Sequence, residues 1–76
     1  MKTYQSHKKV QAAKIIKIVE DAVSVLVLED SPSQQMPYSW MTKHNPKVGG
    51  YLVRYEDGYE SFSPAKAFEE GYTECK

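Results

Sequence analysis

Two short stretches of alternating apolar and polar residues are the clearest pattern in the chain. Residues 50–56 and 59–62 are rich in aromatic and β-branched residues, and Asp57-Gly58 separates them. An Asp-Gly pair in this position favours a two-residue type I′ turn, which needs positive φ at both central residues. The pattern therefore predicts a β-hairpin in which Val53 faces Phe62 across the two strands.

A short helix is predicted directly after this hairpin. Ser63 is suited to the N-cap, Pro64 to the first helical position, and Gly71 to the residue that follows the last turn. The helix therefore covers about residues 64–70, with Phe68 directed towards the sheet. Glu69 and Glu70 lie in its last turn, where the helix dipole disfavours anions.

The first half of the chain is ambiguous at one place. Residues 12–19 carry apolar side chains at a spacing that fits a helical stripe, but the run Ile15-Ile16-Lys17-Ile18-Val19 is mostly β-branched. Residues 23–29 read as a strand. We predict strands over 11–19 and 23–29, joined by a tight turn, because the second strand needs a neighbour and an adjacent hairpin partner is the simplest one.

The segment between the two hairpins contains the only tryptophan, Trp40. Residues 29–35 form a polar turn cluster, and residues 37–44 can form a single helical turn before Asn45-Pro46 ends it. Connections of this length often carry function or cover an open end of a barrel. Two interpretations of Trp40 follow: a plug over the barrel, which we favour, or an exposed binding anchor.

These elements predict a mainly β (α+β) fold, a small antiparallel domain of two hairpins that is SH3-like or a partly open barrel. Residues 1–10 are expected to be a flexible basic N-terminus, and residues 11–76 one small domain. A chain of 76 residues forms a core that supplies only a few kcal/mol, so a partner or self-association can add stability. The predicted core consists of Ile16, Val25, Val27, Val53, Phe62 and Phe68.

Charge and composition restrict the function classes. The formal net charge is zero, but residues 1–19 carry five lysines and no acid, whereas the rest of the chain is acidic. The chain has no apolar run long enough to span a bilayer, and its N-terminus lacks the apolar core of a signal peptide. We therefore expect no membrane contact and a location in the cytoplasm. A lone Cys75 supports neither a disulfide nor a zinc framework.

No cluster of residues has the spacing of a catalytic or metal site. His7 and His44 lie far apart in sequence, and Gly49-Gly50 precedes a strand, whereas a phosphate-binding loop opens a helix. Two carboxylates at the exposed mouth of the hairpin, Glu56 and Glu60, lack the burial that acid catalysis needs. The expectation is that the protein is not an enzyme and uses no cofactor or metal.

Two binding hypotheses remain. In the favoured one, the chain binds another protein, or itself; Tyr, Trp and Arg dominate the energetics of such interfaces. The alternative is a binder of a small nucleotide or of nucleic acid, with bases stacked on aromatic side chains and phosphates held by lysines. The candidate residues for the first are Trp40, Arg54, Glu56, Tyr59, Glu69 and Glu70, and the basic contacts of the second are Lys14, Lys17 and Lys43.

One resemblance adds to this reading. The segments Trp40-Met-Thr-Lys-His44, Tyr55-Glu-Asp-Gly-Tyr-Glu-Ser61, Ser63-Pro64 and Ala67-Phe-Glu-Glu-Gly-Tyr72 resemble a recurrent class of small proteins encoded by tailed bacteriophages and prophages. The resemblance covers roughly the last half of the chain. It implies a phage or prophage origin and action in the cytoplasm of a bacterial host, with a host or phage protein as the partner under the favoured hypothesis. It transfers no catalytic residue.

Overall fold

The computed structural model describes residues 1–75, which form seven strands and two short helices. All strand pairs are antiparallel, and the predicted mainly β fold, the helical turn around Trp40 and the short C-terminal helix are confirmed. The elements are β1 (Lys2–Gln5), β2 (Lys9–Glu20), β3 (Ser24–Leu28), β4 (Gln34–Met36), α1 (Tyr38–His44), β5 (Tyr51–Arg54), β6 (Glu60–Ser63), α2 (Ala65–Gly71) and β7 (Thr73–Glu74).

The long strand β2 organises the sheet. Its first half pairs with β1 on one edge and with β5 on the other, and its second half pairs with β3. The register with β3 shifts between Ile15 and Lys17, as a β-bulge does. Residues 12–19 are thus a strand and not a helix, because β-branched side chains suit the strand and partners on both edges satisfy its backbone.

Strands β2 to β6 close into a partly open barrel. β3 pairs with β4 and β5 pairs with β6, so the open seam lies between β4 and β6. Across that seam the Gln34 amide donates to both carboxylate oxygens of Glu60, at 2.8 and 2.9 Å. With a helix between β4 and β5, this arrangement resembles the OB-fold, a five-stranded and partly open barrel.

The hairpin β5–β6 forms where predicted but with a different turn. The Tyr55 N–H donates to the Tyr59 carbonyl and the Gly58 N–H to the Tyr55 carbonyl, so three residues form the loop, and Gly58 has φ +90°. Val53 consequently pairs with Ser61, and not with Phe62 as the two-residue turn predicts, and Arg54 pairs with Glu60. A shift of one residue moves a strand's side chains to the opposite face.

Three strands, the N-terminal segment and the caps of α2 differ from the expectation. The polar strands β1, β4 and β7 carry no strong pattern in the sequence, and each is defined by its partner. Residues 1–10 were expected to be flexible, but residues 2–5 form β1 because β2 offers them a free edge. The caps of α2 also differ: Pro64 is the N-cap, and Gly71 is the last helical residue.

The core consists of two clusters that lie on opposite faces of the β2–β5 strand pair. Cluster one contains Ala13, Ile15, Leu26, Leu28, Met36, Met41 and Leu52, and cluster two contains Val10, Ala12, Tyr51, Val53 and Phe68. The prediction was correct for Val53 and Phe68. It was wrong for Ile16, which is 50% exposed because it follows the buried Ile15 and successive side chains of a strand point to opposite faces.

The remaining predicted core residues, Phe62, Val25 and Val27, are partly exposed. Phe62 pairs with Leu52, so its side chain lies on the same face of the sheet and packs against cluster one. No helix in residues 1–75 has the length and apolar character needed to cross a membrane.

Candidate protein-binding surface

The Trp40 side chain packs against the core. Helix α1 begins after Pro37, whose carbonyl accepts the N–H groups of Trp40 and Met41. This start packs the partly buried Trp40 ring against cluster one, and its Nε1–H donates to the Glu60 carbonyl at 3.0 Å. The ring therefore covers the open seam of the barrel, as the plug interpretation proposed.

The Arg54 side chain is also held in place by hydrogen bonds to other strands of the fold. Its Nε and Nη2 donate to one carboxylate oxygen of Glu60, at 3.0 and 2.9 Å, and Nη2 also donates to Gln34 Oε1 at 3.2 Å. Together with the Gln34 amide these bonds connect β4, β5 and β6. The one-residue change of register places Arg54 opposite Glu60, whereas Tyr59 contacts Tyr55 and Lys43.

Glu69 belongs to the attachment of α2. It accepts a hydrogen bond from the Tyr51 hydroxyl at 2.7 Å and lies 3.6 Å from Lys14 Nζ. Burial, and then this hydrogen bond, raise the pKa of Tyr51. Glu69 and Lys14, which are candidate residues of the two different binding hypotheses, thus lie side by side where α2 attaches to the sheet.

Other predicted residues lie apart from each other. Glu70 is exposed on α2, and Lys17 is exposed on the outer face of β2, where it pairs with Val27. Glu56 is exposed in the loop of the second hairpin. Of the predicted side chains, the structure brings together Lys43 and Tyr59 at an exposed surface.

Lys43 and Tyr59 form half of a row of four side chains. Lys43 Nζ lies 5.6 Å from the centre of the Tyr59 ring, the Tyr59 and Tyr55 rings stack with centres 6.1 Å apart, and Lys8 Nζ lies 5.9 Å from the Tyr55 ring. The two lysine–ring distances are in the range of cation–π interactions. We call Lys8, Tyr55, Tyr59 and Lys43 the lysine–tyrosine row.

His44 connects the row to the barrel plug. Its Nε2 lies 3.4 Å from the Tyr59 hydroxyl, and its ring centre lies 4.7 Å from that of Trp40. Burial, and secondarily the charge of Lys43, lower the pKa of His44. Both residues occupy the last turn of α1, where basic side chains interact favourably with the helix dipole.

A cleft of about 580 Å³ adjoins the Lys8 end of the row. It separates the turn between β1 and β2 from the turn between β5 and β6. One wall carries His7, Lys8 and Lys9, and the other carries Glu56 and Asp57. Asp57 is already engaged, because its carboxylate accepts the Tyr59 N–H at 2.9 Å.

Lys8, Tyr55 and His44 belong to this surface but are not among the residues predicted from the sequence. Lys8 falls within residues 1–10, which the sequence predicts to be a flexible terminus, and Tyr55 falls within the predicted strand over residues 50–56. The missing signal is three-dimensional: β1 and β5 lie on opposite edges of β2, so their turns meet at the same end of the barrel.

This surface combines aromatic side chains with positive charge. Within residues 1–75 no three His, Cys, Asp or Glu side chains gather as metal ligands would. Tyr59 is 47% exposed, and the lysines of the row have no carboxylate within ion-pair distance in the described chain. The surface offers aromatic area and positive charge to a partner.

No protein family and no curated protein match the chain. Among solved structures, it is similar to the NMR solution structure of the monomeric form of the phage L decoration protein, with a TM-score of 0.72 and 28% identical residues. The match covers 93% of this chain and 57% of the phage protein. The chain thus spans little more than half the length of this neighbour and shares its fold.

Proposed function

We propose that the protein is a phage accessory protein that attaches to the protein surface of a phage particle and performs no catalysis. The observation that carries this proposal is the similarity to a phage decoration protein over nearly the whole chain. The phage or prophage origin suggested by the sequence pattern agrees with it.

The lysine–tyrosine row is the proposed contact surface. Tyrosine supplies a large contact area at a low cost in side-chain entropy, and it is enriched at protein interfaces. The other candidates serve less well, because Trp40 and Arg54 make contacts that join the strands of the barrel, and Glu69 makes a contact that attaches α2. Of the row, Tyr55 also packs against cluster two, whereas Tyr59 and Lys43 are exposed.

Sedimentation with purified particles of the phage that encodes the chain tests the proposal. We expect the full chain to pellet with the particles, and Tyr55→Ala/Tyr59→Ala to remain in the supernatant while keeping its fold by circular dichroism. Tyr38→Ala is the matched control, since Tyr38 is 79% exposed and lies outside the row. Absence of the wild-type chain from the pellet would refute the proposal.

Self-association is the second candidate. β2 and the turn that follows it expose apolar side chains, with Ile16 50%, Val19 38% and Val23 46% accessible. Light scattering on the free chain, run beside the sedimentation assay, gives its mass over a range of concentrations. A mass that rises with concentration supports this candidate.

A further inference from the structure

We infer that the lysine–tyrosine row and its cleft bind an acidic segment of the partner protein, in which two carboxylates flank an apolar side chain. The inference rests on the proposed function and names the chemistry of its partner. The two lysines bind the carboxylates, and the tyrosine pair between them receives the apolar side chain.

The charges of the row support this assignment. Lys2 and Lys14 already have acidic neighbours: Lys2 lies 3.8 Å from Glu74, and Lys14 lies 3.6 Å from Glu69. The other lysines of residues 1–75 have no carboxylate within ion-pair distance, and of these Lys8 and Lys43 are the two that lie over a tyrosine ring. A carboxylate at the outer side of either ammonium group can therefore form an ion pair without displacing an existing one.

The rings between the lysines define the middle of the site. The Tyr55 and Tyr59 planes are inclined by only 24°, so the two rings present neighbouring surfaces of similar orientation. Tyr55 also lines the cleft. An apolar side chain fits here better than a third carboxylate, because the faces of aromatic rings carry partial negative charge.

The opposite wall of the cleft favours a polypeptide over a nucleic acid strand. Glu56 faces the cleft and can accept a hydrogen bond from a peptide N–H or attract a basic side chain. A nucleic acid strand carries a phosphate at every nucleotide, so its backbone would be repelled by Glu56 and Asp57 along this wall.

Charge reversal on the particle assay tests the inference. Lys8→Glu/Lys43→Glu is compared with Lys47→Glu/Lys66→Glu, which reverses two exposed lysines outside the row. We expect the row variant to bind particles at least about tenfold more weakly, since like charges across an interface are strongly unfavourable, and the control to bind within about twofold of wild type. Lys8→Arg/Lys43→Arg, which keeps both charges, should retain binding.

The outcomes separate the two proposals. If the wild-type chain does not bind particles, the proposed function and the inference both fail. If it binds and the row variant binds equally well, the inference alone fails. Fluorescence anisotropy with a labelled 12-nucleotide single strand tests nucleic acid binding. Tight, salt-sensitive binding that the row variant loses and the control variant keeps would show that the row binds nucleic acid, and it would overturn the inference that the row binds an acidic protein segment.

Discussion

Gly50→Ala should destabilise the protein more than its single added methyl group suggests. Gly50 is buried just before β5; its carbonyl accepts the Ile15 N–H at 2.8 Å, and its N–H donates to the Lys47 carbonyl at 3.1 Å. A Cβ at this position would lie 2.9 Å from the Ser63 carbonyl oxygen and closer still to the Phe62 ring. One obstacle is backbone, so it cannot move without disturbing the β5–β6 ladder.

The magnitude follows from the packing. Overfilling a well-packed site costs about 1–3 kcal/mol, and the backbone obstacle places Gly50→Ala at the upper end, about 3 kcal/mol. For a domain of this size each kcal/mol shifts the melting temperature by about 4–8 °C. We therefore expect the melting temperature to fall by more than about 10 °C.

Thermal melts followed by circular dichroism measure this effect, with two comparison variants. Gly71→Ala adds the same methyl group where no atom lies within 4 Å and should be neutral or stabilising by up to about 1 kcal/mol. Phe62→Leu removes the ring, so Gly50→Ala should cost at least about 1 kcal/mol less in that background. A Gly50→Ala melt within about 2 °C of wild type would refute the reasoning.

Two further predictions concern the turn and the Tyr51 contact. Gly58→Val should lower the free energy of unfolding by about 1–2 kcal/mol, because Gly58 has φ +90° and a β-branched residue is strained there; an unchanged melting temperature would contradict it. Tyr51→Phe should cost about 1 kcal/mol at pH 7, since the hydrogen bond to half-exposed Glu69 is lost. The raised pKa of Tyr51 means that its neutral hydroxyl stabilises the fold fully below the unfolded value of about 10. That contribution is lost as the pH rises further, so in urea titrations wild-type stability should fall more steeply above pH 10 than that of Tyr51→Phe; parallel curves would contradict this reasoning.

Local chemistry was sufficient for several elements. The β5–β6 hairpin and the helix after Ser63-Pro64 follow from residues that are adjacent in the chain, because a turn residue or a proline restricts the backbone there. The strand at residues 12–19 needed one further argument: its β-branched run fits a strand or a helix, and the need of residues 23–29 for a neighbour favours the strand. The helical turn around Trp40 and its position over the barrel could also be anticipated, because a long connection with one large aromatic residue suits a covering role.

The register of the second hairpin was decided by the fold. Asp57-Gly58 is compatible with a two-residue turn and with a three-residue loop that has glycine at positive φ. The three-residue loop places Glu60 opposite Arg54, where Gln34 of β4 completes their hydrogen bonds. A residue 26 positions earlier in the chain thus contributes to the pairing, and no local pattern contains that information.

The candidate surface depended on tertiary structure most of all. Lys43 and Tyr59 could be named from the sequence as binding residues, but their alignment with Tyr55 and Lys8 could not. Strand β1 is polar and short, and it forms only because the first half of β2 offers an edge opposite β5. That pairing brings a lysine from the N-terminus beside a tyrosine more than 40 residues later. Residue types and local geometry are written in the sequence, whereas the long-range pairing that assembles this surface depends on the free energy of the whole barrel.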